Sequence, residues 1–132
     1  MKRFLAMLLV AVAMLVALNA LAQKAQMSKE KPKPTTITGE LVDMGCYIGR
    51  GARGEKHKDC ASKCIAGGMP MGLLTAKGEL YLLTLNHDNA DPYNKCKDMA
   101  ASMVEVTGTV MRRSGIPAID VSDVKAHAAA AK

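Results

Sequence analysis

The chain has no Trp, one Phe and three Tyr among its 132 residues. Any core it builds is therefore aliphatic. Single-stranded nucleic acid, which is usually held by stacking on aromatics, is a poor match for it. Also missing are Gly-x-Ser-x-Gly, a phosphate-binding P-loop, a Cys-x-x-Cys-His haem site and His-Glu-x-x-His. Their absence weighs against a hydrolase or a nucleotide enzyme. The length allows one domain at most and excludes a multidomain enzyme or a multi-span membrane protein. The carboxylates of Asp43, Glu55 and Asp59 form no convincing catalytic pair. The expectation is a non-catalytic binding or accessory module.

A secretory leader is present. Lys2 and Arg3 precede an unbroken apolar run over residues 4–18, and Ala20-Leu21-Ala22 forms a small-x-small cleavage site. Residues 1–22 read as a signal peptide, so the mature chain starts at Gln23. The alternative is a retained anchor, because residues 4–22 carry no charge and are just long enough to span a bilayer. Gln23 in place of Cys argues against a lipoprotein. The style of the leader suggests bacterial export, to the periplasm or the medium.

Removal of the leader leaves roughly 110 residues, room for one small core. It takes two of the eighteen basic residues and no acidic one, so the net charge of +6 drops by two. Arg50, Arg53, Lys56, Lys58 and Lys63 crowd one stretch, opposed only by Glu55 and Asp59. Such a stretch can attract an anionic partner, and it is also what a solvated loop looks like.

Residues 23–34 are polar, Lys-rich and carry Pro32 and Pro34, the composition of a flexible linker. The folded domain is expected over residues 35–125, with a frayed tail over 126–132. Residues 35–42 are β-branched, with Ile37, Gly39 and Leu41 on one face, which predicts a strand. Four glycines between residues 43 and 54 predict a loop, and residues 55–66 predict a short helix stopped by Gly67-Gly68. Residues 71–76 and 79–85 predict a hairpin turning at Lys77-Gly78. Asp91-Pro92 opens a second helix, with Asp91 as its cap and a stripe of Tyr93, Cys96, Ala100 and Met103. Residues 104–111 and 118–124 predict two more strands joined at Ser114-Gly115. Five strands with a helix between the third and fourth is the order of an OB-fold β-barrel, and the fold class is mainly β. An open α+β sheet is the alternative.

The most distinctive run is Asp43-x-x-Cys46, His57-x-x-Cys60-Ala61-x-x-Cys64-Ile65 and Gly68-x-Pro70. It resembles a group of small exported bacterial proteins with an OB-like core and no settled function. That resemblance implies export and fold more than activity, and Cys96 falls outside its pattern. On a helix, His57, Cys60 and Cys64 lie within about 60° of one face. With Cys46 they form a Cys3His set, suited to zinc and also to cuprous copper. Met44, Met69 and Met71 flank it as potential thioether ligands. The Cys-x-x-x-Cys spacing resembles that of exported copper-handling proteins of thioredoxin type, without their βαβ frame.

Two other readings stay open. The four cysteines can close disulfides, Cys46 with one of Cys60 and Cys64 and Cys96 with the other, stapling an interaction module for a protein, glycan or anionic partner. Alternatively Cys60 or Cys64, surrounded by Lys56, Lys58 and Lys63, serves thiol–disulfide exchange. His87 and His127 read as an exposed loop residue and a tail residue.

Overall fold

The computed structural model describes residues 33–128. The leader over residues 1–22 and most of the linker lie outside the described residues. Among those described, no helix is long and apolar enough to cross a membrane. Five strands run β1 (Thr35–Asp43), β2 (Met71–Leu74), β3 (Leu80–Leu85), β4 (Met103–Arg113) and β5 (Ile116–Ala126). Three short helices are inserted: α1 (Met44–Arg50), α2 (Lys58–Ala66), preceded by a 3₁₀ turn over Glu55–His57, and α3 (Asp91–Lys97).

The strands close into a barrel in the order β1-β2-β3-β5-β4. Closure depends on β1, which pairs antiparallel with β4 through Thr35–Glu40 and with β2 through Glu40–Asp43. The β3–β5 contact is parallel and aligns Leu82 with Ala118. This is a mixed five-strand barrel with OB-type topology, and the open-sheet alternative is set aside by the β1–β4 pairing.

The interior follows from the period of two along each strand. Leu41, Leu73, Leu83, Val104, Val106, Ile119, Val121 and Val124 point inward and are buried. Among the described residues, no aromatic ring is fully buried. Ile37 and Tyr81 pack at the margins. At Thr107/Gly108 the β4–β5 register shifts by a bulge. A Cβ on Gly108 would overlap the Asp120 carbonyl oxygen and Ile119, so only glycine lets the two strands approach there. Ser114 and Gly115, both with positive φ, turn β4 into β5 as a primed hairpin turn.

The structure differs from the sequence reading at several boundaries. The stretch expected to be a glycine loop begins with helix α1. Asp43 Oδ1 accepts the Cys46 backbone N–H at 2.8 Å and caps its start, and Gly51 in the left-handed conformation ends it. Those capping groups outweigh the cost of Gly45 and Gly49 inside the helix. Helix α3 is capped by Ala90, one residue earlier than expected, and ends at Lys97. Met103 leaves the stripe to open β4, where it pairs with Glu40. At the far end, β5 runs to Ala126. His127 then donates its N–H to the Met103 carbonyl at 3.0 Å and lies 2.9 Å from Glu105 through Nδ1. The barrel therefore extends past residue 125, and Ala126 and His127 belong to it rather than to a frayed tail.

The disulfide expectation is not met. All four cysteines are free thiols. Cys96 is fully buried in the core cluster together with Ala61 and Ile65 of α2. On that helix Cys60 and Cys64 lie about 100° around the axis from Ala61 and Ile65 respectively. The face of α2 that meets Cys96 is therefore the apolar one, and its thiols point elsewhere.

Candidate metal centre

The site grows from the last residue of β1. The β1–β2 pairing places Asp43 opposite Met71, and its side chain is 0% exposed. A buried carboxylate must be given hydrogen bonds. One oxygen, Oδ1, takes the Cys46 N–H, and the other, Oδ2, lies 3.1 Å from His57 Nε2. No buried polar side-chain atom is left without a partner among the described residues.

The insert is closed at its base by the Met44 N–H donating to the Pro70 carbonyl at 2.9 Å. Its loop is tied back to the barrel by Glu40 of β1, whose Oε1 accepts the Gly54 N–H at 2.5 Å. The His57 N–H then donates to the Gly54 carbonyl at 2.8 Å. These bonds bring a residue fourteen positions downstream over Asp43. Helix α2 follows, seated by Ala61 and Ile65, and its Gly67-Gly68 terminus donates back to the Lys63 and Ile65 carbonyls as the sequence suggested.

The result is a convergence on Cys46. Its sulfur, a nitrogen of His57 and the Cys60 sulfur lie within 4.8 Å of one another. A carboxylate oxygen of Asp43, the Cys46 sulfur and the Cys64 sulfur lie within the same limit. Of the expected ligands, Cys46, His57 and Cys60 form one group, and Cys64 joins Cys46 in the other, so Cys46 is common to both. Metal–sulfur bonds near 2.3 Å put tetrahedral sulfurs about 3.8 Å apart, a spacing inside the 4.8 Å limit of either group. Access is graded: Cys46 is buried, His57 and Cys64 are partly covered, and Cys60 is exposed.

Electrostatics fit a cluster of sulfurs. Arg50 Nη2 donates to Cys46 Sγ at 3.2 Å, and the hydrogen bond and charge of Cys46 raise the guanidinium above its ordinary value. Desolvation, helped by the neighbouring thiols of Cys46 and Cys60, pushes Cys64 up to about 11. Around Zn²⁺, three thiolates and an imidazole leave one net negative charge, which Arg50 faces.

The other residues considered from sequence are placed as follows. Met71 is fully buried in the barrel core. The Met44 sulfur packs against Gly72, and Met69 lies over Gly45. His87 is exposed. The distinctive run in the sequence begins at Asp43, but sequence reasoning gave this carboxylate no part in the cluster. The available signal was its place three residues before Cys46, the spacing of a helix cap. Comparison of the chain with protein-family models, curated proteins and solved structures returns no match. Geometry alone therefore carries the chemistry.

Proposed function

We propose that this protein is a small exported bacterial module whose barrel presents a soft-metal site, binding zinc or cuprous copper through Cys46, His57, Cys60 and Cys64. The leader and the resemblance of its Cys/His insert to exported OB-like proteins support export. One observation carries the metal reading: Cys46 is shared by two three-donor groups built from residues 43 to 64. Thiolate and imidazole together suit zinc, and the sulfur-rich set suits cuprous copper. The role is binding rather than catalysis.

The test is intact mass, thiol titration and metal analysis of the protein purified from the export compartment. The expected result is one zinc or copper per chain with four thiols titratable after denaturation in chelator. A mass four hydrogens lighter with no metal would sink the proposal.

A further inference from the structure

Cys46, Cys60 and Cys64 can each ligate through only one atom, but His57 has two nitrogens, and the buried environment determines which is free. Nε2 lies 3.1 Å from Asp43 Oδ2. A carboxylate only accepts hydrogen bonds, so Nε2 carries the ring proton and Nδ1 holds the lone pair. Asp43 cannot turn away to release the ring, because Oδ1 is fixed by the Cys46 N–H at 2.8 Å and the side chain is wholly enclosed. The same carboxylate therefore sets where α1 starts, and with it the Cys46 sulfur, and which nitrogen of the imidazole is left free to ligate.

We propose that Asp43 is the positioning residue that gives the cluster its metal preference, presenting His57 Nδ1 as a fourth donor and so favouring zinc over cuprous copper. This rests on the metal-site reading above. The chemical reason lies in coordination number. A structural zinc asks for four ligands, whereas cuprous copper is satisfied by thiolates alone. Loss of the nitrogen donor therefore falls on zinc and largely spares copper. A carboxylate that holds a ligating histidine in one tautomer also raises the basicity of the ring.

The discriminating variant is Asp43→Asn. Asparagine caps a helix as well as aspartate does, so α1 and the fold are retained. With its oxygen on the Cys46 N–H, its amide N–H₂ faces His57. The ring must then accept at Nε2 and carry its proton on Nδ1, which removes the lone pair from the cluster. Reduced full-length protein is titrated with Zn²⁺ and with Cu⁺ against competing chelators, with circular dichroism as the folding control. Zinc affinity is expected to fall 10- to 100-fold. Copper affinity is expected to change by about threefold or less. His57→Ala should reproduce that ratio, and the double variant should add nothing.

A role in folding alone would weaken both metals equally, and that result overturns the proposal. NMR of the ring nitrogens in the metal-free wild type, at a pH where the ring is neutral, gives a second reading. It should show the Nε2–H tautomer, and an Nδ1–H tautomer overturns the proposal even if the variant fails to fold. A wild-type protein that binds neither metal instead overturns the metal-site reading and takes the preference with it.

Discussion

The barrel and its insert are built on different principles. The barrel closes around Leu41, Leu73, Val104, Val106, Ile119, Val121 and Val124, with each strand paired on both sides. The insert, residues 44–70, buries only Cys46, Ala61 and Ile65. What shapes it is polar: a capped carboxylate, a histidine, a glutamate reaching from β1 and two glycine-rich helix ends. Helices of seven and nine residues are marginal alone. The barrel is thus stable from apolar burial, while the insert keeps its thiols in place with few contacts and has most to gain from a metal.

The sharpest way to break this comparison is to damage the barrel. Leu41→Ala should cost about 2–5 kcal/mol in urea denaturation, equally with and without metal. Saturating metal should do the reverse. At a hundredfold excess over Kd it should add about 2.7 kcal/mol to the measured stability. Hydrogen exchange should show the slowing over residues 44–66, chelator should reverse it, and uniform slowing over all five strands would contradict the division drawn here.

A smaller effect separates the fourth cysteine from the other three. Burial pushes the Cys96 thiol up to about 11 from an ordinary 9.0. The neutral thiol is the form the core holds, so its contribution is complete below about pH 9 and is lost as pH rises toward about 11. Wild type should lose about 2 kcal/mol over that window that Cys96→Ala does not lose. Metal stoichiometry should be the same in both. The smallest effect expected is that of Arg50→Ala. Its guanidinium is exposed, so stability should barely change. Metal release should nonetheless quicken at low salt, where the positive charge beside Cys46 is least screened.

The two regions also differed in how far they were legible beforehand. Alternation of Ile37, Gly39 and Leu41, the Lys77-Gly78 turn and the valines of β4 fixed the strands, because a local period of two is all a strand requires. Closure was not local: it rests on β1 meeting both β2 and β4, pairings that span up to about seventy residues. In the insert, the shared face of Cys60 and Cys64 was readable from helical spacing. Helix α1 was not, because Gly45, Gly49, Gly51 and Gly54 outvoted one cap residue in any count of propensities. Nor could spacing show that Cys96 is screened from the other thiols. That depends on Ala61 and Ile65 occupying the core-facing side of α2.

The dual role of Asp43 makes the barrel and the site hard to vary separately. It is the last rung of β1 and the first anchor of the insert. Since alternate residues of a strand face opposite sides, insertion or deletion of a single residue in β1 would move Asp43 to the face that Val42 occupies, away from the Cys46 N–H and His57. The cap on α1 and the hold on His57 would go in one step. Gly51 and Ala52 close α1 on the Tyr47 and Cys46 carbonyls, and Gly54 is held by Glu40, so the stretch between the helix and its tie to the barrel is short. Anyone transplanting this site to another barrel must therefore carry over a strand ending in register, not merely the three thiols and the ring.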